Sequence, residues 1–229
     1  MPSILNKYYS LTFPMFMIYW LVKGDQTMNT KKEKSKAAFY QQAATYDHDF
    51  KGSHARALYP AMLKKLSQIP FQSALDLGCG TGEMMKLILQ ADPYKELYGI
   101  DLSEKMLAVA RSKLPDQVKL LSGDSESLPF PDHSFDVVYC NDSFHHYPAP
   151  QNVLREVRRV LKPGGTFLIG DCWQPLISRV IMNAFMRYSK EGDVKIYSKA
   201  EIVLMLSECF REVSWEQVGN TACIAMGIK

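Results

Sequence analysis

The 229-residue chain lacks the cysteine pairs that mark a zinc site or a disulfide framework. Its five cysteines are odd in number and widely spaced, and none of them forms a CxxC pair. They are Cys79, Cys140, Cys172, Cys209 and Cys223. We interpret them as reduced, mostly buried thiols, which are typical of a cytoplasmic protein, and we expect no metal site.

A strong charge excess is also missing. The chain has 27 basic and 24 acidic residues, and a net charge of +3 is too small to indicate a nucleic-acid partner. No internal repeat or low-complexity linker interrupts it. A hydrophobic fraction of 47% and a charged fraction of 22% are typical of a globular protein. The length suits one α/β domain with a sizeable core.

No stretch of the sequence predicts a stable membrane span. The uncharged run YYSLTFPMFMIYWLV at residues 8–22 is shorter than the about 20 apolar residues that a span needs, and it contains Pro14. KGDQ follows it, where a signal peptide would have a small-residue cleavage site. Three interpretations stay open: an appendage before Met28, an interfacial anchor, or an element packed on the domain. We take residues 1–27 as an appendage and 28–229 as the domain.

Beyond residue 33, helical and strand-like segments alternate, which predicts a doubly wound, mostly parallel sheet. Buried strands are predicted at 73–78, 96–101, 118–124, 134–141 and 166–171. Helices are predicted at 33–50, 54–69, 80–91, after the Ser103 cap, at 149–162 where Pro163 and two glycines stop the helix, and at 176–189 and 198–210. Residues 211–228 predict a terminal hairpin, and KKEKSK at 31–36 predicts a solvated helix start.

In such a sheet, ligands bind beyond the carboxyl ends of the strands. The residues near those ends are 76–82, Asp101, Asp124, Asn141 and Asp171. A dinucleotide site prefers the spacing G-x-G-x-x-G, but here the third glycine comes one position early, at Gly82, and Glu83 follows it. Acidic residues make this loop a poor phosphate cradle and favour a cationic ligand that carries a ribose.

Four blocks carry a resemblance to a known family: LDLGCGTG, YGIDLSEKML, GDSESLPFPDHSFDVVYCNDSFHHYPAP and LREVRRVLKPGGTFLIGD. With AFYQQAATYD they span residues 38–171. The chain resembles the class I S-adenosylmethionine-dependent methyltransferases, in the small-molecule branch that includes the ubiquinone/menaquinone C-methyltransferases. The resemblance implies a Rossmann-like, seven-stranded sheet with an antiparallel terminal strand. It also implies a helical cap, with elements near 33–50 and 172–197.

S-adenosylmethionine is the cofactor that the resemblance implies. Its methionine part is expected on the glycine loop, with Asp76 orienting the amino group, and its ribose on Asp101. The adenine is expected against residues 102–106 and 124–125, with Tyr46 closing over the cofactor. The implied cofactor-binding residues are Tyr46, Asp76, Gly78, Cys79, Gly80, Gly82, Asp101, Leu102, Met106, Asp124, Ser125 and Asn141.

His145 and His146 follow the fourth predicted strand, in the loop that the family places near the transferable methyl group. Either could be the catalytic base, since histidine titrates near neutral pH. The alternative is that one is a surface residue and the other shapes the pocket. A base is needed only if the acceptor must lose a proton.

The methyl acceptor is expected to be a small molecule. The chain has NDSF where methyltransferases of exocyclic amines carry an N-P-P-Y type tetrad, and it lacks the paired-glutamate loop of protein arginine methyltransferases. Residues 37–50 and 172–197 are predicted to wall the acceptor pocket. The second segment offers Trp173, Ile177, Ile181, Phe185, Met186 and Tyr188. A non-catalytic cofactor-binding regulator and a nicotinamide oxidoreductase are the alternatives, the latter disfavoured by the Gly82–Glu83 register.

Overall fold

The computed structural model describes residues 15–229, with side chains described from residue 28 onward. Residues 1–14 and the side chains of 15–27 lie outside that description. The three interpretations of residues 8–22 and the domain boundary at residue 27 therefore stay predictions. In the part that is described, no helix combines the length and the apolar character needed to cross a membrane.

Within residues 15–229, seven strands form one sheet. They are β1 (Ser73–Leu77), β2 (Glu96–Asp101), β3 (Lys119–Ser122), β4 (Phe135–Asn141), β5 (Leu161–Cys172), β6 (Arg211–Val218) and β7 (Ala222–Ile228). Their spatial order is β3-β2-β1-β4-β5-β7-β6. Strands β1 to β5 pair in parallel, whereas β7 runs antiparallel to both β5 and β6. The predicted doubly wound sheet with an antiparallel terminal hairpin is confirmed.

Seven α-helices connect and cover these strands in the described chain. They are α1 (Met15–Gln42), α2 (Ser53–Leu66), α3 (Glu83–Ala91), α4 (Glu104–Lys113), α5 (Pro150–Val160), α6 (Leu176–Phe185) and α7 (Lys199–Cys209). Two predicted caps are confirmed: the Ser103 side chain accepts a hydrogen bond from the backbone of Met106, and Ser198 with Glu201 forms a capping box.

Several helix boundaries differ from the prediction, including the ends of α2 at Leu66 and of α6 at Phe185. Helix α3 begins at Glu83 rather than residue 80, because the preceding glycines have positive φ angles. Helix α5 ends at Val160, shortly before the stop predicted at Pro163, and β5 begins at Leu161. Helix α1 runs from Met15 to Gln42, so residues 31–36 lie inside it and the predicted helix start there is wrong; residues 43–50 form turns and bends.

Apolar side chains cover both faces of the sheet and fix the strand ends that carry the polar residues. One cluster contains Leu75 and Leu77 of β1 together with buried residues of α5 and α7. The other contains Ala74, Leu58 and Met62, with buried residues of α3 and α4. Successive residues of β1 thus face opposite layers, as strand geometry requires.

Candidate functional site

A cavity with about 980 Å³ of empty space, part of it open to solvent, lies beyond the carboxyl ends of β1, β2 and β4. The order of the sheet reverses between β1 and β4, which is where ligands bind in open α/β sheets. Of the residues predicted for the site, Gly82 and His145 do not line the cavity. The lining ones are Tyr46, Asp76, Gly78, Cys79, Gly80, Asp101, Leu102, Met106, Asp124, Ser125, Asn141 and His146.

The glycines between β1 and α3 divide into two kinds. Gly78, Gly80 and Gly82 have φ angles of 67°, 52° and 74°, in the left-handed region that favours glycine. A Cβ atom on Gly80 would meet no atom within 4 Å, so this position leaves the cavity open. A Cβ atom on Gly82 would lie 2.6 Å from Cδ1 of Leu114, so Gly82 permits close packing of α4 instead.

Asp101, at the end of β2, fixes the glycine loop. Its Oδ2 accepts a hydrogen bond from the backbone N–H of Gly80 at 2.9 Å, and its Oδ1 accepts one from that of Ser103 at 2.8 Å. Desolvation in this position raises the pKa of Asp101. Because each carboxylate oxygen has a further lone pair, Asp101 can still accept hydrogen bonds from a ligand.

Two more polar groups on the cavity wall suit a ligand that carries an ammonium group. Burial raises the pKa of Asp76 to about 8, so this carboxyl holds its proton at neutral pH unless a cation joins it. Asn141 donates its Nδ2 to the carbonyl of Ala55 at 3.2 Å. Its buried Oδ1 has no hydrogen-bond partner among the described residues and is a ready acceptor.

Helix α1 contributes a lysine, Lys32, to the cavity wall. Lys32 Nζ lies 2.7 Å from Oδ2 of Asp124 and 2.6 Å from Oε2 of Glu126. Although burial alone would lower it, these two carboxylates raise the pKa of Lys32 above its usual value. The prediction that residues 31–36 are solvated is therefore wrong for Lys32, whose side chain is only 19% exposed.

His145 forms an ion pair outside the cavity wall. Its Nδ1 lies 2.6 Å from Oδ1 of Asp171, and its backbone N–H donates to Oδ2 of the same carboxylate at 2.9 Å. Burial alone would lower the pKa of His145, but the Asp171 carboxylate raises it well above the usual value. We therefore describe His145 as an imidazolium bound to a carboxylate.

His146 lies on the cavity wall and, unlike His145, is uncharged. Its side chain is 9% exposed, and its ring packs edge-to-face on Phe39 with 5.2 Å between centroids. Burial, together with the charge of His145, lowers the pKa of His146 well below the usual value, so the ring is neutral at neutral pH. Nδ1 lies 3.1 Å from Oδ1 of Asp193 but lacks hydrogen-bond geometry, and no other described residue satisfies it.

Known proteins resemble this chain in sequence. Residues 75–169 match a family model described as a methyltransferase domain. A demethylmenaquinone methyltransferase of Listeria welshimeri is 33% identical over 201 residues, which are 82% of this chain and 80% of that relative. This chain belongs to the class I S-adenosylmethionine-dependent methyltransferases. It is an enzyme that transfers a methyl group to a small-molecule acceptor.

A second sequence relative supports the same family, and a solved structure supports the fold. A demethylmenaquinone methyltransferase of Bacillus cytotoxicus is 34% identical over 155 residues, which are 65% of this chain and 62% of that relative. A solved S-adenosylmethionine-dependent methyltransferase of Thermotoga maritima has a TM-score of 0.68 at 20% identity. The match covers 85% of this chain and 99% of the Thermotoga maritima chain, and at 20% identity it supports the fold alone.

Of the two segments predicted to wall the acceptor pocket, only one lines the cavity. From residues 37–50, Phe39 and Tyr46 line the cavity, but no residue of the segment 172–197 does. The side chains of Ile177 and Phe185 are exposed on the surface instead. The segment instead contacts the two histidines: Asp193 lies against His146, and the backbone N–H of Val194 donates a hydrogen bond to the carbonyl of His145.

Sequence reasoning missed several residues of the site. Phe39 lies inside the block AFYQQAATYD, from which only Tyr46 was selected. Lys32 lies seven residues before Phe39, so helical periodicity places both on one face of α1, and this signal could have found Lys32. The other missed lining residues include Tyr59, Glu126, Asp142, Ser143 and Tyr147.

Two overlapping side-chain clusters among the described residues of the methyltransferase have metal-ligating chemistry; the second contains His145, Asp171 and Cys172. His145, His146 and Asp193 bring one ligand atom each to within 4.8 Å of one another. However, the Lys31 ammonium lies 2.5 Å from the backbone carbonyl of Asp193, and a cation so close disfavours a metal ion. Asp171 already binds the other nitrogen of His145. We treat both clusters as a hydrogen-bond and ion-pair network.

Proposed function

We propose that the enzyme binds S-adenosylmethionine in this cavity and methylates a ring carbon of a demethylmenaquinone-type acceptor in its reduced form. The acceptor class follows from the relatives that match most of the chain. The observation that carries the proposal is the meeting of an open glycine loop, two carboxyls and neutral His146 in one cavity.

The lining residues fit the cofactor from end to end. Gly80 leaves room for the methionine chain, and the unpartnered Oδ1 of Asn141 can accept from its ammonium group. Asp76 would lose its proton beside that cation. The ribose hydroxyls would donate to Asp101. The adenine would lie against Leu102, Met106, Asp124 and Ser125, which all line the cavity.

When bound, S-adenosylmethionine supplies a methyl group on a positively charged sulfur, which is transferred by in-line displacement. The protein then mainly aligns the reactants and excludes water, effects that can lower a barrier by roughly 7–11 kcal/mol. Phe39, Tyr46 and Tyr59 line the cavity, Phe39 in contact with the His146 ring, and would hold a planar ring. Helix α1 closes over both ligands through the Lys32 ion pairs.

His146 would act as the general base. A hydroquinone ring carbon becomes a good nucleophile when a neighbouring hydroxyl loses its proton, whereas the carbons of the oxidised quinone are electron-poor. A neutral imidazole on the cavity wall can accept that proton. His145 would act as a positioning residue: its ring is centred 4.0 Å from that of His146, and its positive charge adds to the effect of burial in lowering the pKa of His146.

A thermal-shift experiment tests the cofactor assignment. Saturating S-adenosylhomocysteine should raise the melting temperature, because a ligand at 100 times its Kd stabilises the native state by about 2.7 kcal/mol. NAD at the same concentration should not raise it, since Glu83 follows a glycine spacing unsuited to a pyrophosphate. A shift with NAD and none with S-adenosylhomocysteine would overturn the proposal.

Affinity for S-adenosylhomocysteine should rise with pH between 6 and 8. In the free enzyme Asp76 has a pKa of about 8 and is protonated, whereas the ligand ammonium favours the ionised carboxylate. Binding should therefore release up to one proton, and the Kd should fall by up to about tenfold per pH unit, levelling above pH 8. Calorimetry at pH 6, 7 and 8, in buffers of different ionisation enthalpy, measures both quantities.

The matched variant is Asp76→Asn, which keeps the shape of the side chain and removes its titration. Its affinity should be nearly independent of pH, and its binding should release no proton. A flat pH profile in the unmodified enzyme, or the same slope in both proteins, would show that Asp76 does not meet the ligand ammonium.

A further inference from the structure

Helix α6 is attached to the protein by polar groups. None of its residues is buried. Asn183 donates its Nδ2 to the carbonyl of Ile196 at 2.9 Å and accepts from the N–H of the same residue at 2.8 Å. Arg179 donates to the carbonyl of Gln174 at 2.8 Å. A surface helix normally turns its apolar side inward, so this arrangement is inverted.

The apolar side chains of α6 face outward and stack at helical spacing. We call them the α6 face: Leu176, Ile177, Val180, Ile181 and Phe185. Each of these side chains is between 55% and 76% exposed. Because 177, 181 and 185, like 176 and 180, are four residues apart, they form adjacent rows. A contiguous exposed apolar patch of this kind marks an interaction site.

All charged residues within and directly after helix α6 are basic. The stretch 176–190 contains Arg179, Arg187 and Lys190 but no aspartate or glutamate. Arg187 and Lys190 are exposed just beyond the end of the helix, and the Arg187 guanidinium lies 4.8 Å from the centre of the Tyr188 ring. Exposed apolar side chains flanked by cations and an aromatic residue are typical of helices that lie in the interface of an anionic bilayer.

The acidic residues that follow this stretch contact the protein, so they would not repel an anionic bilayer. Glu191 Oε1 accepts hydrogen bonds from Lys51 at 2.6 Å and from Gln42 at 2.9 Å. Asp193 lies against His146. The segment that follows the α6 face thus contacts a residue of the active-site wall, His146, through Asp193.

We propose that the α6 face docks on the surface of an anionic lipid bilayer. The outward apolar rows enter the interface, and Arg187 and Lys190 meet the anionic headgroups. Docking in this orientation brings the side of the active site that carries His146 close to the bilayer. An apolar acceptor dissolved in the lipid would then have a short path to the cavity.

Vesicle co-sedimentation of the full-length enzyme tests this proposal, using phosphatidylcholine vesicles with and without phosphatidylglycerol. The enzyme should bind the anionic vesicles. Ile181→Glu should weaken binding at least about tenfold, because it removes a buried apolar group and adds a like charge to the headgroups. Arg187→Gln and Lys190→Gln should each weaken it about fivefold.

Leu204→Glu is the matched control, because Leu204 is an apolar residue on helix α7 that is 64% exposed, compared with 55% for Ile181. It should bind vesicles as the unmodified enzyme does. The melting temperature and the molar mass in solution should be unchanged in all four variants, since the replaced side chains contact solvent in the free enzyme.

Four results would overturn the proposal. The unmodified enzyme could fail to bind anionic vesicles, or Ile181→Glu could bind them undiminished, which would place the membrane contact elsewhere. A change of molar mass in Ile181→Glu would identify a second copy of the chain as the occupant. A melting temperature lowered by several degrees would identify a segment of the same chain. Vesicle binding needs neither cofactor nor acceptor, so these results are independent of the proposed reaction.

Discussion

A Gly80→Leu variant should bind S-adenosylhomocysteine roughly 100-fold more weakly, a loss of about 3 kcal/mol. A side chain on Gly80 would project into open space in the cavity, where the methionine chain of the cofactor is proposed to lie. The backbone N–H of Gly80 would still donate to Asp101, so the loop keeps its anchor. Calorimetry on the folded variant measures the loss.

Gly219→Leu is the control for backbone strain. Gly219 has a φ angle of 57°, close to the 52° of Gly80, and a Cβ atom on it would also meet nothing within 4 Å. It lies in the hairpin between β6 and β7, far along the chain from the glycine loop. Both variants should lose about 1–2 kcal/mol of stability from the left-handed conformation. If both also bound the cofactor equally well, the glycine loop would not be its binding site.

A His146→Gln variant should lower the turnover number by about 10²–10⁴-fold, the effect expected of a positioned general base. Affinity for S-adenosylhomocysteine should be unchanged, because the proton transfer contributes only in the transition state. Steady-state kinetics with a reduced demethylmenaquinone analogue, beside calorimetry, separates the two quantities. Near-normal turnover would mean that the acceptor needs no base or uses another one.

The pH profile separates the roles of the two histidines. In the unmodified enzyme the rate should fall as the pH drops through the lowered pKa of His146, since protonation removes the base. His145→Gln removes a positive charge that helps to lower that pKa. The acidic limb of its profile should therefore move to higher pH, whereas a limb that stays in place would contradict the positioning role.

The parts of the site that were predictable are those set by local backbone chemistry. Three glycines between a buried strand and a helix predicted the open loop, and polar residues at strand ends predicted Asp76, Asp101 and Asn141 on one edge. These features need only the sequence around them, because parallel strands bring their carboxyl ends to a common edge.

The parts that were not predictable are pairings between distant residues. Lys32 meets Asp124 across 92 positions of the chain, and no local pattern encodes that distance. The ion pair of His145 with Asp171 spans 26 positions and decides which histidine is neutral, although both residues were singled out separately. The apolar pattern of α6 was read as a pocket wall, because periodicity shows that a face is apolar but not what covers it.

The most direct measurement uses S-adenosylmethionine with a deuterated methyl group and a reduced demethylmenaquinone analogue. The purified enzyme should yield a product in which one CD₃ group replaces a ring hydrogen, together with an equal amount of S-adenosylhomocysteine. Mass spectrometry and NMR of the product identify the methylated atom. A CD₃ group on oxygen, or no product from an enzyme that binds the cofactor normally, would contradict carbon methylation of this acceptor class.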